Sequence, residues 1–338
     1  MNIGDVASNY LKQLLDTATG LGADRTMLLH RIGIEEDALT DPSVRFGLTQ
    51  LMKLGYVAIE TTGDPSLGLR FGANSTVMRM GYAGLTAMSS PNLGVALDIL
   101  IEFEALTSRS YRGNSSYVAS DEGAAIASFY SIAPYNNYTI FIVDIVLTGW
   151  YNLVQWLTGK EDLVEEVHFE FDQPSYHTLY NDYFDCPVLF GQPSNSLVLK
   201  KSALQTPVLY YNAQMLASLR AVCEQQLRDI FRKETFGDKV QKIIGPVLHT
   251  KTPTIEETAE ALGIPTWTLR RKLKEEELSF QALVDNMRKD LALGYMKDTE
   301  LSFGEIAYTL GFSTPGAFQR AFKRWTNTTP GEYRRSIS

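Results

Sequence analysis

Two segments near the end of the chain, TIEETAEALGIPTWTLRRKLK (254–274) and SFGEIAYTLGFSTPGAFQRAFKRW (302–325), carry one pattern twice. Each opens with a hydroxyl residue three positions before a glutamate, Thr254 with Glu257 and Ser302 with Glu305. That spacing forms a reciprocal capping box, which satisfies the free amides at a helix start. Apolar positions then match, Ala259 with Ala307 and Leu262 with Leu310, and a glycine follows in both copies, Gly263 and Gly311. Glycine there suits the left-handed conformation that ends a helix and turns the chain. Leu269 and Leu273 in the first copy, Phe318 and Phe322 in the second, are i, i+4 pairs that form the buried edge of a second helix. The second copy holds one extra residue in its turn. Two short helices joined by a glycine turn make a helix-turn-helix, so the tail is expected to be all-α and to contain this unit twice.

The face opposite the apolar edge decides what such a unit touches. In the first copy Trp267, Arg270, Arg271 and Lys274 fall at i, i+3, i+4 and i+7, and in the second the matching face holds Gly316, Gln319, Arg320 and Lys323. Arginine bonds guanine in bidentate fashion, glutamine bonds adenine, an indole packs on a thymine methyl, and lysine suits phosphate. With Thr268 and Thr314, these side chains are the candidate DNA contacts. Packing of Trp267 on the helix between the units, and a merely solvated face for the arginines, are the alternatives. Pro315 and Gly316 place little chemistry at the start of the second reading helix, so less base specificity is expected from it.

Overall charge argues against nucleic acid until it is divided along the chain. The formal net charge is −8, yet residues 239–338 hold 15 Lys+Arg against 12 Asp+Glu, while residues 1–238 hold 16 against 27. A local cationic face suffices, because counterion release depends on the charges that meet phosphate. Between the units, SFQALVDNMRKDLALGYMKD has Ser279 as a cap and apolar residues at helical spacing, which predicts a rod of about 19 residues and ~28 Å. A rod of that length holds two reading heads in successive major grooves, since one turn of B-DNA is ~34 Å.

Thr254 to Arg335 resembles the AraC/XylS family of bacterial transcription regulators, with FGEIAYTLGFSTPGAFQRAFKRWTNTTPGEYRR as the signature stretch. Asn327 and Glu277 stand where glycine is customary. The resemblance implies double-stranded DNA as partner, a homodimer, and RNA polymerase as a further partner.

The remaining two thirds reads as α+β. Helices are expected from Val6 to Thr19, near Asp24 to Ile32, from Thr49 to Thr62, and after a Ser90 N-cap with Pro91 in the first turn. The stretches SYVASDEGAAIASFYSI, EEVHFEFDQP and NSLVLKK read as strands of a modest antiparallel sheet. GYAGLTAMSSPNLGVALDIL and YNDYFDCPVLFGQPSNSLVLKKSALQTPV are similar to the arabinose-binding-type effector domain of a subset of these regulators. The expected organisation is an effector domain over 1–208, a connector helix over 209–237, and a DNA-binding domain over 238–338 with its units at about 254–275 and 302–325. The connector carries an apolar stripe, Leu216, Leu219, Cys223, Leu227 and Ile230, which either zips two chains together or packs on its own domain.

Candidate effector residues are Asp144, a charge within an apolar helix, and the nearby Trp150 and Tyr151. A carboxylate in such a place is paired, protonated or exposed. His168, Asp172, His177, Asp182 and Cys186 form no recognised metal spacing, and no nucleophile–base pair or phosphate loop is present, so neither metal, cofactor nor catalysis is expected. Two cysteines at unrelated positions, an N-terminus without signal-peptide character, and an apolar window (Tyr138–Leu157) interrupted by Asp144, Asn152 and Gln155 lead to the expectation of a cytoplasmic protein that does not cross a membrane. The leading reading is an effector-responsive DNA-binding regulator. The rival is an interaction protein whose N-terminal domain dimerises or binds a protein without any small molecule.

Overall fold

A computed structural model describes residues 4–337 apart from 42–43, 111–112, 120–124, 133–134, 137–138, 233–234 and 249–251. The chain begins with a strand, β1 (Gly4–Ala7), followed by α1 (Ser8–Gly20), α2 (Arg25–Ile32), β2 (Arg45–Gly47), α3 (Leu48–Thr62), α4 (Leu67–Ala73), α5 (Gly81–Met88), α6 (Leu93–Glu102), α7 (Glu104–Thr107) and β3 (Ser108–Ser110). Then come β4 (Ser116–Ala119), β5 (Ala125–Phe129), α8 (Ile140–Thr158), β6 (Val164–His168), β7 (Val188–Leu189) and β8 (Asn195–Leu199). A long helix, α9 (Ala213–Phe231), leads to the all-α tail: α10 (Phe236–Ile244), α11 (Ile255–Ala261), α12 (Thr266–Glu275), α13 (Phe280–Asp298), α14 (Phe303–Thr309), α15 (Pro315–Thr326) and α16 (Pro330–Ile337).

Among the described residues the strands form a three-stranded sheet in the order β2-β1-β3 and a five-stranded sheet in the order β4-β5-β8-β6-β7. The N-terminal region is thus α+β as its alternating and helical stretches suggest. Three local expectations are corrected. Val6 and Ala7 belong to β1 and not to the first helix, because Val6 is buried opposite Phe46 and Ser108 in an antiparallel register. The sixth helix is capped by Asn92, which accepts from the Val95 amide at 3.0 Å, whereas the Ser90 hydroxyl donates to Thr86 O and Pro91 stays outside. The five-stranded sheet is not wholly antiparallel, since β6 and β7 run parallel with Val167 opposite Val188. Residues 120–124 of the expected strand stretch lie outside the described residues.

α8 is long and apolar enough to cross a membrane, but here it is a core helix, packed against α4 on one side and β5 and β8 on another. One core surrounds it and the larger sheet, a second joins α1 to α4, and a third belongs to the tail. The α9 stripe packs on its own domain: Cys223 is fully buried beside Thr86 of α5, and Leu216 and Leu227 lie against the N-terminal core. The third core crosses the domain boundary, because Met52 of α3 is buried among the tail helices and Leu48 and Tyr56 pack beside it.

Candidate nucleic-acid interface and effector cavities

Both capping boxes form. The Glu257 amide donates to Thr254 Oγ1 at 3.2 Å and the Thr254 amide to Glu257 Oε2 at 3.3 Å; likewise the Glu305 amide donates to Ser302 Oγ at 3.2 Å and the Ser302 amide to Glu305 Oε2 at 2.8 Å. Gly263 and Gly311 adopt φ of +64° and +70°, so each turn uses the left-handed region as its glycine requires. Leu269, Leu273, Phe318 and Phe322 are buried, which rotates the opposite faces outward.

On the first reading helix Trp267 is 67% exposed and does not pack on α13. Arg270, Arg271 and Lys274 are exposed beside it, and Thr268 is half-buried at the flank. Arg271 pairs with Glu275 at 3.3 Å across one helical turn, a solvent-exposed contact that yields readily to a stronger partner. On α15, Gln319, Arg320 and Lys323 are exposed, while Thr314 is the N-cap and accepts from the Ala317 amide at 3.2 Å. The Thr314 oxygen is therefore engaged in holding the helix start, which leaves its hydroxyl proton for a phosphate or base.

The helix between the units, α13, has 19 residues and spans ~28 Å. It grips the second unit through a residue the sequence pattern did not single out. Arg288 is buried, donates from Nε to Leu310 O at 2.9 Å and from Nη2 to Gly311 O at 3.4 Å, and lies over the Phe312 ring. Glu277 and Asn327, the two departures from glycine, take φ of +58° and +61°. The glutamate bears the larger strain, since asparagine visits this region with less cost.

In the N-terminal domain the three candidate effector residues separate. Asp144 of α8 is fully buried against the short helical turn that carries Tyr180, with Tyr180 Oη donating to Oδ1 at 2.8 Å and Oδ2 without a partner among the described residues. Burial pushes its carboxyl up to about 8, the tyrosine bond opposing, so it is largely neutral at pH 7. It lines none of the three spaces described next. Tyr151 lines a polar cleft of about 240 Å³ with Asp182 and Asp185, and its hydroxyl accepts the Asp185 amide at 3.0 Å. Trp150 lines a different space, an apolar cavity of about 120 Å³ lined by α1, α3, α6, α8 and β5.

A larger cleft of about 470 Å³ lies between α6, α7 and β3 on one side and the end of α9 and α10 on the other. Glu104, Ile101, Ser108, Ser115 and Tyr130 line the cavity and the cleft alike. Sequence reasoning missed Glu104, although a carboxylate in the apolar run LDILIEFEALT was the available signal. Among the described residues no group of three or more His, Cys, Asp or Glu side chains is arranged to hold a metal.

A duplicated, capped helix-turn-helix with two outward polar faces, joined to an α+β domain that contains cavities, defines the class of DNA-binding transcription regulators. The arabinose-binding domain of AraC transcription regulators matches residues 22–208, and a helix-turn-helix domain matches residues 258–336. The chain belongs to the AraC family, as a non-enzymatic regulator with an arabinose-binding-type N-terminal domain. It is similar to the ornithine utilization regulator of Pseudomonas aeruginosa, 27% identical over 325 residues that cover 96% of this chain and 95% of that one. It is also similar to the urease operon transcriptional activator of Escherichia coli, 30% identical over 151 residues that cover 43% of this chain and 50% of that one. Among solved structures, CdpR from Pseudomonas aeruginosa aligns over 87% of this chain and 99% of its own, with 20% identity and a TM-score of 0.43.

Proposed function

We propose that this regulator is a cytoplasmic protein that sets α12 and α15 in adjacent major grooves of one duplex and answers to a small molecule held in its N-terminal domain. The observation that carries the DNA reading is the pairing of two outward faces, Trp267, Thr268, Arg270, Arg271 and Lys274 on one, Thr314, Gln319, Arg320 and Lys323 on the other, by a 19-residue helix. Its ~28 Å suits groove centres one helical turn, ~34 Å, apart. The effector reading rests on the apolar cavity with Trp150 in its wall, which shares lining residues with the larger cleft; an apolar lining with a few polar groups is the chemistry of small-molecule sites. Asp144 and Tyr151 are set aside as effector contacts, the first because it is sealed in the core and the second because it faces another cleft.

The proposed control is a shift in the placement of the DNA-binding units, which requires the effector to favour one of two states. The protein works as a homodimer in this reading. Because the inward α9 stripe is occupied within the chain, pairing through α9 uses its outward side, where Met215 and Val222 are exposed beside Tyr210 and Tyr211. RNA polymerase is the further partner through which bound protein alters transcription.

Selection of the full chain against a random duplex pool tests the DNA reading. Two short motifs recovered about one helical turn apart support paired reading heads. A single short motif, or none, removes the two-groove reading.

A further inference from the structure

The apolar cavity and the larger cleft meet at a neck with one carboxylate in it. Glu104 lines both spaces, and its oxygens accept the Ser115 hydroxyl at 2.6 Å and the Ser115 amide at 3.1 Å. An ionised carboxylate has about four acceptor sites, so two remain. Burial raises the Glu104 carboxyl, and the Ser115 bonds offset this only in part.

Every other charged residue on the cleft has its own counterpart. Glu102 is bonded to Arg220 at 2.6 Å, Arg109 is held by Asp5, and Asp238 closes the capping box of α10. The Lys242 ammonium sits 3.7 Å from the Phe231 ring centroid. Among the described residues no lysine or arginine pairs with Glu104. On the inner side stands Tyr10, whose hydroxyl makes no hydrogen bond among the described residues and whose ring packs on Phe71. Burial, with the Glu104 charge added, pushes its phenol up to about 12, so it remains a neutral donor and acceptor at the neck.

We propose that the neck seats the ammonium group of an alkylamine-type effector, with Glu104 as its counter-ion, the Tyr10 and Ser108 hydroxyls beside it, and the hydrocarbon body in the apolar cavity. This rests on the effector reading above and specifies its chemistry. An ammonium presents three donors and no acceptor, which matches a carboxylate and two hydroxyls at an apolar boundary. The inner volume of about 120 Å³ sets the body's size. An engineered cavity of about 150 Å³ holds a benzene ring, so about six carbons is the upper limit. Any further portion of the ligand extends into the cleft, whose far wall is Asp238 and Lys242 of α10 and Pro246. A ligand that extends that far meets α10, which packs on α13 of the tail.

Calorimetry on the full chain with hexylamine, 1-hexanol and hexanoate separates charge from size. Hexylamine is expected to bind about tenfold or more tightly than 1-hexanol, with hexanoate weakest, because a desolvated carboxylate rewards an ammonium and repels an anion. Glu104→Gln is expected to erase the amine's advantage and leave 1-hexanol within about twofold. Ser115→Ala, which removes a carboxylate partner without removing the charge, supplies a second variant should Glu104→Gln fail to fold; it is expected to retain the amine preference. Equal affinities for the three probes, binding of none, or an amine preference that survives Glu104→Gln overturns the proposal. DNA affinity measured on the same samples with and without hexylamine keeps the two readings apart: amine binding with unchanged DNA affinity leaves the site standing and removes the effector role.

Discussion

Gly294, in the C-terminal third of the helix that joins the two reading units, packs against Thr49 of the N-terminal domain so closely that a β-carbon placed on it stands 3.1 Å from Thr49 Cγ2. The contact is part of a shared core in which Met52, Leu48 and Tyr56 of α3 meet the tail helices. The effector domain therefore touches the rod that spaces the reading heads. Leu48 also lines the apolar cavity, as does Ile142, which packs on the same core, so cavity and rod share part of one wall.

Gly294→Leu is expected to open this contact. Leucine favours the helix by about 1 kcal/mol over glycine, so α13 itself does not suffer, but its side chain has no room against α3. Hydrogen exchange on the full chain is the readout, with faster exchange expected for amides of α3. Unchanged protection there means that α3 and α13 do not meet in solution.

Base reading and phosphate contact separate by their dependence on sequence. Arg271→Ala is expected to relax preference at particular base positions and to cost ~1–3 kcal/mol on the selected site, whereas Lys323→Ala weakens all duplexes alike and lowers the salt slope by about one unit. Neither changes stability much, since Arg271 is paired with the exposed Glu275 and Lys323 is exposed. A uniform loss across sequences for Arg271→Ala reassigns that side chain to phosphate.

The two turn glycines are unequal despite their matching φ. A β-carbon on Gly311 falls 1.9 Å from Leu248 O, while nothing lies within 4 Å of one on Gly263. Gly263→Ala is expected to cost about 1–2 kcal/mol from backbone strain alone, and Gly311→Ala several kcal/mol more, because the Leu248 carbonyl has to move as well. Urea denaturation of the two variants measures the difference, and equal midpoints refute the close approach.

Asp144 gives the N-terminal domain a pH dependence of definite sign. Its folded pKa of about 8 lies above the unfolded value, so the folded state holds the proton more tightly and this contribution to stability declines as pH rises from about 4 to about 8. Asp144→Asn keeps an acceptor for Tyr180 and cannot ionise. Its stability relative to the parent is expected to improve by about 4–5 kcal/mol between pH 4 and pH 8. Parallel pH profiles for the two proteins show that Asp144 is not held neutral in the fold.

The tail was legible in the sequence because its determinants are short-range. Thr254 with Glu257, Ser302 with Glu305, the turn glycines and the i, i+4 pairs Leu269–Leu273 and Phe318–Phe322 each act within a few residues, and each is found in its expected place. The outward faces follow, because burying one edge of a helix exposes the other. The α9 stripe shows where such reasoning stops: its spacing announced a partner but not that α5 of the same chain supplies it. Asp144 is likewise a charge in an apolar helix whose burial against Tyr180 depends on a short helical turn 36 residues away. Only tertiary structure could bring Tyr10, Glu104 and Ser115 to one neck, or set Gly294 against Thr49 across the chain. Capping and periodicity are properties of a few consecutive residues, whereas a cavity or a domain contact exists only once distant segments have packed.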